Sequence, residues 1–386
     1  MTIIENVLER EQAVREVVRE ITQRFDRKYF LDRALTGSGT RELWNEMAKA
    51  ELFTVGVPEE LGGQGGGLTE CVALVEEMSL AGLPPMIYPL NLYARSAILN
   101  HGSPEQIQHY VVDAMDGSVA LCFAVTEPDA GTNTFAIRST AKKVDGGYLL
   151  NGQKVFISAA DEADAMLVVA RTAPFDPAHK TAGLSLFLVP MSAPGIELKQ
   201  LDIRWYVPEK QFEIFLDDVE VKDEWMLGEE GKGFSYLVDS LNTERLLIAG
   251  MMLGFGQYAI DRAVEYAKVR APFGTPIGAY QAVQHPLATA QAELKAARAL
   301  TFEAARQFDA GSADGSGEGM AKLLAAKACL AAVEACIQVH GGHAFVLDND
   351  VITLWPLARL IQIAPLNNES ILNQIAERSL GLPRSF

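Results

Sequence analysis

The 386-residue sequence predicts an α+β multidomain protein: a helical domain over residues 1–118, a middle antiparallel β-barrel or sandwich over 119–231, and a C-terminal four-helix bundle over 232–386. Three observations predict it. A chain this long outgrows one core and should divide into two or three packed units. With 49% of residues apolar and no dominant low-complexity tract, its composition is that of a globular protein. The apolar spacing changes twice, from a three-and-four period to short runs between breaker residues and back again.

In the first region, "ITQRFDRKYF", "RELWNEMAKAEL", "LTECVALVEEMSLAG" and "SPEQIQHYVVDAMDG" carry apolar residues at helical spacing. Ser103-Pro104-Glu105 reads as a helix start, because serine caps and proline suits the first turn. "LGGQGGG" (61–67) lacks the strand before it and the Gly-Lys-Ser/Thr after it that a phosphate loop needs, so it reads as an interhelical connection. From residue 119, "VALCFAVTE", "YLLNGQKVFIS", "AMLVVAR", "LSLFLVP" and "FEIFLDDVEV" are short strand-like runs. Asn151-Gly152 reads as a hairpin turn, since a type I′ turn needs positive φ at both central residues. Long helices return at about 234–269, 281–310 and 320–340, with a shorter one near 367. "GSADGSGEG" (311–319) reads as a flexible break, and small-residue-rich helices of this length form bundles.

A formal charge of −17, with no basic stripe to offset it, argues against nucleic-acid and anionic-membrane partners. Charged residues interrupt every apolar stretch well before the ~20 residues of a membrane span. The N-terminal segment is charged and amphipathic, without the basic-then-apolar order of a secretory signal. Cys71, Cys122, Cys329 and Cys336 form no paired motif, and the last two lie seven apart on one helical face, as core residues do. A cytoplasmic location with reduced thiols is expected. His340 and His343 flank two glycines rather than standing at helical ligand spacing, so no metal site is expected.

"NTERLLIAG" (242–250) places Glu244 and Arg245 just before a run of Leu, Ile, Ala and Met. Either this is a helix-start carboxylate with a solvated arginine, or it is a base and a charge anchor in a dry active site. Neighbouring helical side chains diverge by about 100°, so the two can serve different surroundings. A carboxylate in a dry pocket holds protons more tightly, as a general base working near neutral pH requires.

Five blocks occur in order: "FAVTEPDAGTNT" (123–134), "NGQKVFISAA" (151–160), "LGEEGKGF" (227–234), "RAPFGTPIGAYQAVQ" (270–284) and "QVHGGHAF" (338–345). Together they resemble the acyl-CoA dehydrogenase family of flavoproteins over nearly the whole chain. The resemblance implies FAD as cofactor and α,β-dehydrogenation of an acyl-CoA thioester, a base removing the α-proton while the flavin takes a β-hydride. It also implies an electron-transfer flavoprotein as acceptor. Phe123, Val125, Thr126 and Thr132 would form the flavin and thioester cradle, Thr132 standing where serine is usual. Phe156 would screen the flavin where tryptophan is common, with Ser158 at its edge in place of threonine; alternation in a strand sends both to one face.

Many relatives carry the base after the Gly-Gly motif. Here "IAPLNNES" puts Pro365 at that position, and proline accepts no proton. "TERLL" matches the isovaleryl and long-chain branch, which assigns the base to Glu244, with Glu369 the competitor. Arg245 and Thr132 are the expected substrate-side contacts. Twenty-five positions, roughly 37 Å of helix, separate Arg245 from Arg270, too far for both to serve one flavin ring. In the family that far end contacts a neighbouring subunit's cofactor. Arg270, Phe273 and Gln281 would do so here, with Gln338, Gly341 and Gly342 along the adenine and pyrophosphate path, and a homotetramer or at least a homodimer follows. Pro272 replaces a frequent hydroxyl, and Asn367 replaces a threonine but keeps a hydrogen bond to offer the flavin. The rival readings are a flavin oxidase or monooxygenase on the same fold, and a non-catalytic subunit of a heteromer. "LDIRWYVPEKQFEIF" (201–215) departs from the family pattern. Trp205 and Tyr206 either narrow an entrance or, the favoured reading, pack against the β unit.

Overall fold

A computed structural model describes residues 3–313 and 315–384. The first region holds α1 (Ile3–Thr22), α2 (Arg27–Thr36), α3 (Arg41–Lys49), α4 (Leu68–Leu80), α5 (Ile87–His101) and the short α6 (Pro104–Ile107). Ser103 caps α6 as its sequence foretells, its Oγ accepting from Gln106 N at 3.2 Å, but the helix lasts one turn before tighter and wider turns replace it. The 61–67 segment connects to α4. α4 is buried almost all round, and its acidic residues survive there because arginines meet them. Arg15 reaches Glu76 and Glu77 at 2.5 and 3.0 Å, and Arg298 reaches Glu76 at 2.7 Å. Buried carboxylates require such partners.

The middle unit contains β1 (Leu121–Ala124), β2 (Thr140–Val144), β3 (Gly147–Ser158), β4 (Ala165–Arg171), β5 (Leu184–Pro190), β6 (Ile196–Leu201), β7 (Gln211–Lys222) and β8 (Met226–Leu227). They form one sheet in the order β6-β7-β3-β2-β4-β5-β8, with β1 beside β4. The path does not close, so the sheet is sandwich-like rather than a barrel. It is also not wholly antiparallel: β1 runs parallel to β4, and β2 meets β4 in parallel at Thr140. Every residue of β4 is buried, which explains why "AMLVVAR" lacks alternation.

The hairpin expected at Asn151-Gly152 lies elsewhere. Asp145-Gly146 joins β2 to β3, with Gly146 at φ 76°, and Asn151 and Gly152 sit inside β3. Gly152 marks a register shift against β7, where a Cβ would stand 2.2 Å from Ser139 Oγ. Asn151 is bound across the shift to Asp218, at 2.8 Å to its carboxylate and 2.9 Å from its N–H. The same dipeptide chemistry that builds a turn here builds a bulge.

The last region holds α7 (Gly233–Val269), α8 (Gln281–Asp309), α9 (Ser316–His340), α10 (Trp355–Leu360) and α11 (Asn368–Arg378). Asp314, within the expected break, lies outside the described residues. α7 crosses α4 so closely that a Cβ on Gly254 would come within 2.0 Å of Glu76 O. Gly250 and Gly254 of "AGMMLGFG" are therefore the contact surface, while Gly256 meets α8 and α9. Trp205 is buried in the core cluster shared by the helices, not against the sheet, and the adjacent Tyr206 takes φ 55° at the turn that sends it there.

Candidate active site

Glu244 sits well inside α7, 9% exposed, and its carboxylate makes no hydrogen bond to a described residue. Tyr93 from α5, Arg245 beside it and Lys322 from α9 are the groups whose charges or dipoles it feels. Burial pushes its proton affinity up to about 8, against the opposing pull of Arg245 and Lys322. Lys322 is fully buried, and burial pushes its ammonium down to about 8. It donates to Leu366 O at 2.8 Å and Asn368 Oδ1 at 3.1 Å, tying α9 to the start of α11. A carboxyl with no donor among the described residues and an ammonium shut off from the surface are thus buried within reach of each other's charge.

Arg245 is coupled to Glu244 by charge but makes no hydrogen bond to it among the described residues. Its Nη1 donates to Asn242 Oδ1 at 3.1 Å, its Nε has no partner among the described residues, and it feels the charges of Glu244, Glu318 and Arg378. It thus joins Glu244, Glu318 and Arg378 in one charge network.

The 123–134 block leaves the sheet at the end of β1 and turns sharply. Glu127 holds the turn by accepting from Lys154 Nζ at 2.8 Å, Arg138 N at 2.6 Å and Ser139 N at 3.0 Å. Lys154, buried inside β3, also donates to Val125 O at 3.1 Å, and Val155 N donates to Thr126 O at 2.9 Å. Although burial opposes it, Lys154 and these amides keep the Glu127 carboxyl below its usual range. Val125 and Thr126, both half-buried, are fixed by this clamp. Phe123 meets Tyr93 edge-on at 6.5 Å, which carries the block to the Glu244 compartment. From the other side, Asn367 Nδ2 donates to Thr132 Oγ1 at 2.8 Å while its Oδ1 caps α11 by accepting from Ser370 N.

Phe156 and Ser158 do face outward together, with Ile157 buried between them. Alternation alone does not place them: Phe156 lies at a second register shift, with φ 59°. A non-glycine residue rarely adopts that conformation, and here it holds a ring 61% exposed. Ser158 Oγ accepts from Gln211 Nε2 at 2.5 Å. An aromatic held outward at a strained bulge, with a hydroxyl two residues on, fits a planar polar-edged cofactor such as a flavin. Gly341, at φ 57°, and Gly342 leave open space where side chains would stand, as a pyrophosphate path requires.

Arg270, Phe273, Gln281, Gln338, Gly341 and Gly342 are all exposed, Phe273 by 86%, at the far end of α7 and its neighbours. Within one chain they do not join Glu244. Pro365 and Glu369 are exposed as well, and Glu369 touches the compartment only through its charge on Lys322. A cavity of about 280 Å³ opens between α4, α5, α7 and α8, reaching Thr243, the residue before Glu244. Sequence reasoning missed Lys322, Tyr93, Gln211 and the Glu127–Lys154 clamp. A signal existed for Lys322, a cation amid the small apolar residues of "GMAKLLAAKACL"; Tyr93 carried none.

Comparisons with known proteins follow the same lines. The models of the acyl-CoA dehydrogenase N-terminal, middle and C-terminal domains match residues 8–118, 122–219 and 231–380. Acyl-CoA dehydrogenase FadE12 of Mycobacterium tuberculosis is 38% identical over 383 residues, 98% of each chain. The caffeyl-CoA reductase-Etf complex subunit CarC of Acetobacterium woodii is 30% identical, over 92% of this chain and 94% of that one. The solved structure of butyryl-CoA dehydrogenase from Megasphaera elsdenii superposes with a TM-score of 0.91 at 26% identity, covering 99% of each chain.

Proposed function

Since the chain belongs to the acyl-CoA dehydrogenase family, we propose that it desaturates an acyl-CoA thioester between its α and β carbons, with Glu244 as the base. It is an oxidoreductase, and its cofactor is FAD. Bound FAD supplies the acceptor for the β-hydride. The chain's own residues do the rest. Glu244 takes the α-proton, and burial gives its carboxylate the affinity for it. Lys322 and Arg245 offset part of that burial, so that an ionised fraction exists near neutral pH. The Glu127–Lys154 clamp fixes Val125 and Thr126 where they meet cofactor and thioester, and Thr132 with Asn367 closes the cradle from the C-terminal side. Phe156 keeps water from the outer flavin face, and Ser158, oriented by Gln211, addresses its edge.

The observation that carries this reading is a buried carboxyl without hydrogen-bond donors beside Tyr93 and Lys322, in a chain whose alternative position is Pro365. The test is anaerobic flavin bleaching by acyl-CoA. Glu244→Gln should keep its yellow colour and its binding of acyl-CoA while losing reduction; undiminished bleaching reassigns the base. Peroxide release in air would favour an oxidase, and a colourless protein on purification would favour a non-catalytic subunit.

Electrons leave to an electron-transfer flavoprotein, a reading supported by the Etf-complex relative. The exposed set from Arg270 to Gly342 serves the FAD of a neighbouring copy, so the working unit is a homotetramer or at least a homodimer. The three matched segments support domain limits near residues 118 and 231. No helix among the described residues is long and apolar enough to cross a membrane, and the four cysteines are free and buried; a reducing, cytoplasmic location accords with this.

A further inference from the structure

We propose that the acyl group accepted here carries a carboxylate at its far end, received by Arg95; this rests on the acyl-CoA reading and names the substrate class of that same site. The cavity bounded by α4, α5, α7 and α8 reaches Thr243, the residue before Glu244, and the acyl tail would enter past that threonine. Leu92, Leu99 and Phe308 give it apolar wall, as an alkyl chain would want, and Thr243 Oγ1 bonds Ser96 Oγ at 3.3 Å. Polar groups line it as well. Arg95 borders it, half-buried, with Nη1 donating to Phe53 O at 2.7 Å and Nη2 to Val55 O at 2.7 Å and weakly to Cys71 Sγ at 3.9 Å.

All three acceptors are neutral, and among the described residues no carboxylate pairs with this guanidinium. Asp309 also borders the cavity, but its oxygens are engaged at the first turn of α4, accepting from Leu68 N at 2.6 Å and from Thr69 N and Oγ1 at 3.0 and 2.6 Å. The positive end of a helix answers that charge. Arg95 is left as a cation pinned by two backbone carbonyls, with two of its five N–H groups unassigned. An alkyl terminus arriving here would strip water from a charge and give nothing in return. A carboxylate terminus would form a charge-assisted pair with a group already held in place.

The experiment uses the wild-type holoenzyme and matched pairs of saturated acyl-CoAs, straight-chain and ω-carboxyl, across several chain lengths. Flavin absorbance reports both binding and anaerobic reduction. At the length that fills the cavity, the ω-carboxyl ester should bind about tenfold to a hundredfold more tightly than its unsubstituted counterpart. Arg95→Gln should draw that ratio toward one, and Arg95→Lys should retain part of it. Equal or weaker response to the ω-carboxyl ester at every length overturns the proposal, as does a preference undiminished in Arg95→Gln. Because Arg95 also holds the 53–55 turn, a variant that fails to fold leaves the wild-type ratio as the deciding result. Bleaching by neither series would instead remove the acyl-CoA reading, and this inference with it.

Discussion

At the scale of single residues, the proposed chemistry depends on a carboxyl that the fold makes reluctant to ionise. With its proton affinity raised to about 8 by burial, Glu244 is mostly protonated at neutral pH in the ligand-free protein. The kcat/KM for flavin reduction should therefore rise with pH and level off above about 8. Lys322→Met removes a cation that favours the ionised form, so that limb should move to higher pH; a limb that stays put would leave Lys322 a purely structural tie to α11. Stability carries the opposite sign. Between the ordinary carboxyl range and pH 8 the unfolded chain ionises this group and the folded chain does not, so folding loses stability as pH rises. Glu244→Gln removes that loss. Its melting temperature should exceed wild type by little near pH 4.5 and by most above pH 8, the ceiling being on the order of a few kcal/mol at about 1.4 kcal/mol per unit. The burial of Glu244 was legible because two opposite charges lead into an apolar run. Tyr93 and Gln211 were not, since their partners lie far away in sequence.

At the scale of elements, long helices and buried strands could be read directly, while the bends that aim side chains could not. The limits of α7 and α8 follow from spacing and breakers to within a residue or two, and "AMLVVAR" announces a strand covered on both faces. Asn151-Gly152 misleads because a bulge and a type I′ turn call for the same residues, and only pairing with β7 decides between them. The bulge at Phe156 is likewise invisible to alternation, yet it is what holds the ring outward. The Glu127–Lys154 pair that clamps the neighbouring turn is buried, so breaking it is severe. Lys154→Met alone should destabilise by roughly 3–5 kcal/mol and loosen FAD. Adding Glu127→Gln should recover part of the loss in a urea titration. Additive losses would mean that the two side chains act separately.

At the scale of the whole molecule, the length of α7 separates Glu244 from the end proposed to serve a neighbouring copy. Glu244 is buried with its own Lys322, whereas Arg270 and Phe273 stand exposed roughly 37 Å along the helix from Arg245. Exposed Val269, Phe345, Val346 and Leu347 surround that far end with apolar surface of the kind a second subunit covers. Subunit complementation follows. Glu244→Gln homo-oligomers should be inactive and Arg270→Ala homo-oligomers should hold FAD weakly. Co-expression of the two should restore activity, because a mixed pair contains one site with both native residues. Activity no greater than the sum of the parents would place Arg270 at its own chain's cofactor. Helix length and motif spacing in the sequence already part Glu244 from Arg270, but they carry no trace of the Arg95 cavity, whose walls come from four helices.

The most direct test of Glu244 separates proton removal from hydride transfer. An acyl-CoA analogue that cannot release a β-hydride, incubated with the holoenzyme in deuterated water, reports α-proton exchange by NMR. Wild type should exchange the α-proton and Glu244→Gln, with FAD and analogue still bound, should not. Exchange at the wild-type rate in that variant would contradict the assignment of the base to Glu244.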